Sequence, residues 1–152
     1  GIKSILVESA EADDIIMTLV RRMKHNHNCI IATDHDMIQV LDKARMFDLR
    51  GNEITVSYIS NKCIGSNEMT SESYLKTKLL VGDKSDNIPQ VFDRVGWKKA
   101  WTLMSDTETL KEKLKDSQAI NRLKLNSKLI DCKYIPSDIQ KDIIKSYIET
   151  KS

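Results

Sequence analysis

An α/β segment followed by a mostly helical lobe is the fold class this sequence predicts. Three observations carry that expectation. Two short apolar runs, Ile5-Leu6-Val7 and Asn28-Cys29-Ile30-Ile31-Ala32-Thr33, each lead through a polar turn into a stretch with helical spacing. After Ser60 the pattern changes, and from Glu68 onward apolar residues recur mostly with helical periodicity. Capping residues and a proline then punctuate that region at helix-sized intervals.

Each element has its own local reason. Ile5–Val7 reads as a short buried strand. Ala12, Ile15, Ile16, Leu19, Val20 and Met23 form one stripe, which predicts a helix over 11–23. Acids open it, and Arg21, Arg22 and Lys24 close it, as a helix dipole favours. Asn28–Thr33 reads as a buried parallel strand. Asp34-His35-Asp36 follows, then a short helix through Met37, Ile38, Val40 and Leu41. Residues 45–49 and 53–59 flank Arg50-Gly51-Asn52, and Ile54, Val56 and Tyr58 alternate with polar residues, which predicts a hairpin. Helices are expected over 71–80, 98–104, 107–115, 118–130 and 136–150, with caps at Ser105-Asp106-Thr107 and Ser137-Asp138 and with Pro136 at a helix start. The expected lobes are residues 1–66 and 67–152.

Composition narrows the function classes. The chain has 152 residues, of which 40% are hydrophobic and 30% charged, enough apolar content for a folded core. No apolar run approaches the roughly 20 residues of a membrane span, and the start lacks a signal peptide's apolar region. Cys29, Cys63 and Cys132 are too scattered for a disulfide framework or a paired metal spacing, so a reducing cytoplasm is expected. The net charge of +2 neither requires nor excludes nucleic acid.

Three acidic pairs are the candidate chemistry: Glu11/Asp13, Asp34/Asp36 and Asp83/Asp86. At about 100° per residue, Asp13 and Glu11 border the two sides of the apolar stripe, whereas Asp14 points to water. Asp34 follows a strand directly, where ligands bind in open parallel sheets. Asp83 and Asp86 lie in a turn shaped by Gly82, Ser85 and Asn87. Each pair also has a plain reading: dipole complement, helix cap or polar turn. Together they suit hard divalent cations, which prefer carboxylate oxygens and can act in pairs about 3.5–4 Å apart on phosphodiesters. His25, His27 and His35 lack a partner spacing for a soft-metal site.

A basic helix start follows. Gly96-Trp97-Lys98-Lys99 places backbone N–H groups and two ammonium groups where a phosphate could sit, a contact that holds a backbone without reading bases. Trp97 and Trp101, one turn apart, are expected as core anchors.

At these residues the sequence resembles the 5′ nuclease, or flap endonuclease, family. Glu11-Ala12-Asp13-Asp14 is similar to the family's E-A-D-D helix start, and Thr33-Asp34-His35-Asp36 to its T-x-D-x-D turn. Gly82-Asp83-Lys84-Ser85-Asp86-Asn87-Ile88-Pro89 is similar to its G-D-x-S-D-N-I-P loop, and Val95–Ala100 to the second helix start of its helix-three-turn-helix DNA-binding element. The ending, Asn121-Arg122-Leu123 through Tyr134-Ile135-Pro136, resembles the T-even bacteriophage RNase H type. Gln90 departs from the glycine that usually follows the loop's proline.

The resemblance implies a parallel-sheet (PIN-like) nuclease core over 1–66, then a helical lobe over 67–152. It implies a phosphodiester hydrolase of the two-metal type, a 5′-3′ exonuclease or flap endonuclease acting on DNA and RNA-primer 5′ ends in replication. Glu11, Asp13 and Asp34 would hold one Mg2+, and Asp36, Asp83 and Asp86 the other, with Mn2+ able to substitute. Lys84, Ser85, Gly96, Lys98 and Lys99 would contact DNA. Partners implied are DNA with 5′ ends or flaps, RNA-DNA hybrid, replication proteins and the family's N-terminal half, since members are about twice this length. No membrane is implied, and a phage-encoded protein would work in the host cytoplasm. The alternative is a fragment that binds duplex DNA and cleaves nothing.

Overall fold

The computed structural model describes residues 2–23 and 27–150. It is a mixed α/β structure, mostly helical with a small sheet. Two compact units divide it: Gly1–Glu53 with Cys132–Ser152, and Ile54–Asp131.

In the first unit, helix α1 (Ala12–Arg22) leads to strand β1 (Asn28–Ile31), a 3-10 helix (His35–Val40) and strand β2 (Ala44–Phe47). β1 and β2 are parallel, with Asn28 opposite Ala44 and Ile31 opposite Phe47. A third short strand, β3 (Glu53–Ile54), adjoins β2. α1 packs on the 3-10 helix and on the chain's last helix, α7 (Ser137–Glu149). The core of this unit holds Met17, Val20, Ile30, Met37, Ile38, Val40, Met46 and Ile143. The return of the chain is fixed by polar contacts as well as packing. Arg21 donates to the Cys132 carbonyl at 2.8 Å, and Arg22 donates twice to Gln140 Oε1.

The second unit is helical: α2 (Val56–Ile64), α3 (Ser71–Val81), α4 (Trp97–Ser105), α5 (Thr107–Lys113) and α6 (Ser117–Ile130). α3 packs on α2, α4 and α6. Leu80, Val91, Val95, Ala100, Leu103 and Ala119 form its buried cluster. Side chains close the starts of these helices: Thr55, Thr70, Asp106 and Asp116 each accept a hydrogen bond from a backbone N–H in the first turn.

Several expectations need correction. Among the described residues Ile5–Val7 belongs to no strand; Val7 is buried, while Leu6 is 90% exposed. The strand expected over 28–33 stops at Ile31, and only Ile30 of its residues is buried. The second arm of the expected hairpin is two residues long. Ile54, Val56 and Tyr58 alternate as a strand would, but Thr55 caps Tyr58 N–H and Gly65 ends the segment at φ +81°, so a helix forms instead. Trp97 and Trp101 are half-buried rather than core anchors, and Trp97 stacks on Tyr74 at 5.1 Å. Lys24 and His25, expected at the end of α1, lie outside the described residues.

Ile38 is fully buried in the 3-10 helix that Asp34 caps. Replacing it with alanine leaves a cavity as well as losing transfer energy. Urea denaturation of Ile38→Ala is expected to show a loss of about 3 kcal/mol of unfolding free energy.

Candidate metal and nucleic-acid site

The acids of the first unit stand at two helix starts. Glu11 is the residue before α1 and is exposed; Asp13 is half-buried in its first turn. Asp14 is not simply turned to water: its Oδ2 accepts the Glu11 N–H at 3.1 Å. That bond satisfies a donor at the helix start and holds the Glu11 backbone in place. Asp34 caps the 3-10 helix, its Oδ1 accepting the Asp36 N–H at 2.8 Å. The cap fixes Asp34 and Asp36 relative to each other. α1 packs on the 3-10 helix, so the two acidic starts belong to neighbouring elements.

In the second unit, α3 ends at Gly82, whose φ of +71° and ψ of −166° turn the chain sharply. A Cβ there would lie 2.5 Å from the carbonyl oxygens of Ile88 and Pro89, so only glycine fits this approach. Asp83 N donates to Ile88 O at 3.0 Å and Ile88 N to Asp83 O at 2.7 Å, closing the loop that carries Lys84, Ser85 and Asp86. Asn87 sits in the left-handed region at φ +57°, which its short amide side chain tolerates.

Asp83 is tightly held. Its Oδ2 lies 3.0 Å from Nζ of Lys78, a lysine side chain only 7% exposed. Its Oδ1 accepts from both the backbone N–H and the hydroxyl of Ser85. Burial pushes the Asp83 carboxyl up, but the hydrogen bonds from Ser85 and Lys78 and the lysine's charge outweigh it, giving a pKa of about 2. Ser85, expected at DNA, therefore spends its hydroxyl inside the loop. Lys78 is a feature that motif reading missed. The signal was present: a lysine five residues before Asp83, which the reversal at Gly82 folds back onto the carboxylate.

The basic start is exposed. Gly96 precedes α4 and offers no side-chain cap, and Lys98 and Lys99 are solvent-facing. Arg94, just before it, has φ +57°. In the loop, Lys84 and Asp86 are exposed as well.

The Asp83 carboxyl binds its proton less tightly when folded than when unfolded, so it contributes stability above its ordinary value near 3.8 that is lost as pH falls toward 2. In Asp83→Asn this contribution is absent. The fall in unfolding free energy from pH 5 to pH 2 is expected to be about 2 kcal/mol smaller in the variant, read by urea titration at each pH.

Comparison with known proteins agrees with this picture. Residues 94–152 match the family described as T4 RNase H, C terminal. The chain is 28% identical over 134 residues to a 5′-3′ exonuclease of Buchnera aphidicola (subsp. Acyrthosiphon pisum), covering 84% of this chain and 44% of that protein. It is 34% identical over 123 residues to DNA polymerase I of Caldicellulosiruptor bescii, covering 74% of this chain and 14% of that one. It thus spans less than half the length of these relatives. Among solved structures, a bacteriophage T5 protein co-crystallized with metal ions superposes with a TM-score of 0.70 at 18% identity, over 95% of this chain and 61% of that one. A T5 flap endonuclease pseudo-enzyme–product complex with DNA and metal ions superposes with a TM-score of 0.67 at 20% identity, over 94% and 60%. The chain is thus similar to 5′-3′ exonucleases over most of its length, and its last 59 residues match the C-terminal family of a nuclease of that kind.

Proposed function

We propose that this chain is part of a Mg2+-dependent 5′-3′ exonuclease or flap endonuclease that acts on DNA and RNA-primer 5′ ends in replication, in the cytoplasm. The observation that carries the reading is the closed loop Gly82–Pro89, which presents Asp83 and Asp86 between a glycine-only turn and a bridged stem, in a chain similar to 5′-3′ exonucleases over most of its length.

The donor set fits a hard cation. Glu11, Asp13, Asp34, Asp36, Asp83 and Asp86 offer only carboxylate oxygens, and neither a thiolate nor an imidazole is required. Asp83 is ionised throughout the neutral range. Its two bonds from Ser85 take both lone pairs of Oδ1 and the Lys78 contact takes one of Oδ2, which leaves one on Oδ2 for a metal. Asp34 likewise spends one oxygen on its cap and keeps the second. Two Mg2+ ions held by these groups would supply an activated water and stabilise the leaving oxygen, so no side-chain base is needed. The helical lobe would supply a helix-three-turn-helix element and the first unit part of a PIN-like core. Gly96, Lys98 and Lys99 would hold a backbone phosphate at the open start of α4, and Lys84 and Ser85 would lie along the same strand. RNA-DNA hybrid, replication proteins and the other half of the nuclease are the partners this reading implies.

A second reading is a module that binds duplex DNA without cutting it. Its support is the chain's coverage of 44% of its exonuclease relative, together with the exposed basic start of α4. Cleavage and gel-shift assays on one sample of 5′-labelled flap DNA separate the two. Mg2+-dependent products that vanish in EDTA favour the nuclease; a retarded complex with no product favours the module.

Asp34→Asn tests the ligand role while keeping an acceptor for the Asp36 N–H. In the complete nuclease its cleavage rate is expected to fall by more than the ~10–100-fold that losing an outer partner of a metal site costs. A wild-type rate at saturating Mg2+ removes Asp34 from the ligand set. For the basic start, Lys98→Ala and Lys99→Ala are each expected to reduce the slope of log affinity against log salt by about 1 without changing sequence preference. An unchanged slope places the phosphate contact elsewhere.

A further inference from the structure

The two stems of the loop that carries Asp83 and Asp86 are bridged by a buried side chain from another helix. A helix leaves its last carbonyls without partners along its own axis. At the end of α3, Lys78 O accepts from Gly82 N at 2.8 Å and Leu80 O from Val91 N at 2.9 Å. Leu79 O, between them, accepts from Asn126 Nδ2 at 2.9 Å. The same nitrogen donates to Pro89 O at 2.8 Å. Leu79 and Pro89 are the ingoing and outgoing stems of the loop. Asn126 belongs to α6, is fully buried, and lies 47 and 37 residues from its two partners in sequence.

The chemistry of this contact is specific. A primary amide carries two N–H donors on one nitrogen, a fork that reaches two carbonyls at once. A leucine of similar size offers none, a serine one, and an ionised aspartate would set negative oxygens against two carbonyl oxygens. The Oδ1 of Asn126 is buried without a hydrogen-bond partner. A residue present only to fill space would avoid that cost by being apolar. One turn earlier on α6, Arg122 Nη1 donates to Asp93 Oδ1 at 3.2 Å and lies 3.4 Å from Gln90 O, so the same helix face also grips the chain beyond the loop.

We propose that Asn126 is the positioning residue of the acidic loop: by fixing the spacing of its two stems it aims Asp83 and Asp86 for cation capture. This rests on reading those two carboxylates as metal ligands. Asn126 touches no substrate or metal and acts through the backbone of Leu79 and Pro89.

The test uses the whole chain and Mn2+ alone as the probe, titrated below the unfolding temperature of every variant. Asp86→Asn assigns the binding to this loop. Ile59→Ala, which opens the core of the same unit outside the cluster that holds Leu80 and Val91, serves as the control for lost stability. Asn126→Leu is expected to weaken Mn2+ binding at least tenfold and to raise amide exchange at Ile88 and Val91 selectively over the rest of α3 and α6. Ile59→Ala is expected to keep Mn2+ affinity within twofold. Should Asn126→Leu fail to fold, Asn126→Gln, which keeps the amide on a longer arm, carries the same two readouts. Wild-type Mn2+ affinity and wild-type exchange at Ile88 in a folded Asn126 variant overturn the positioning role and leave the ligand reading intact. A wild-type chain that binds no Mn2+ overturns the ligand reading, and the aiming role falls with it even if the loop loosens.

Discussion

The second unit turns on how α3 ends. Lys78 is an ammonium group in the last turn of that helix, almost wholly removed from water. A buried charge is costly unless it is paired and hydrogen-bonded. The pairing comes from Asp83, five residues on, and it can form only because Gly82 reverses the chain through backbone geometry that a side chain would block. The reversal brings Pro89 and Ile88 against Gly82 and lets Asp83 and Ile88 exchange hydrogen bonds. Ion pair, glycine and bridge therefore require one another. None of the three is a local preference of Asp-Lys-Ser-Asp-Asn as a polar turn.

The same economy governs the acids of the first unit. A carboxylate at a helix start can serve as a cap or as a metal ligand, and the two uses compete only if they need the same lone pairs. Asp34 caps through Oδ1 alone, and at α1 Glu11 and Asp14 form a reciprocal capping box, each side chain accepting the other's backbone N–H, which leaves Asp13 outside it. Capping then does more than stabilise the turn. It removes rotamer freedom from the Asp34 carboxylate, an ordering cost met by the turn itself.

How much of this was legible depends on the range of the interaction. Helices α3, α5, α6 and α7 carry their start signals next to the residues they start, at Thr70, Asp106, Asp116 and Pro136, and the expected spans agree with the structure to within a residue or two. α2 was misread because Ile54, Val56 and Tyr58 satisfy a two-residue period, and a period outweighed two quieter cues, the cap at Thr55 and the glycine at 65. Ile5–Val7 looks like a strand by composition, but a strand is a pairing and composition cannot supply the partner. The polar turn from Gly82 to Pro89 was readable because its turn residues lie side by side, whereas the Lys78 pairing that the turn closes on was not. Asn126 was not readable, since its role depends on a helix more than thirty residues downstream lying against the loop's two stems. The closing of the first unit by Cys132–Ser152 is likewise a long-range event, written in Arg21, Arg22 and Gln140 rather than in any motif.

The start of α4 follows a different logic from the capped helices of the same unit. α2, α3, α5 and α6 each satisfy a first-turn N–H with a threonine or aspartate oxygen. At α4 a glycine stands in that place, and the next exposed side chains are ammonium groups. An aspartate there would stabilise the helix and at the same time repel a phosphate; glycine gives up part of the capping energy and keeps the dipole's positive end open. The loss is offset by packing, because Ala100 and Leu103 of this short helix belong to the buried cluster with Leu80, Val91 and Val95. The helix is thus held by its inner face and by the stack of Trp97 on Tyr74, while Lys98 and Lys99 in the same turn stay exposed.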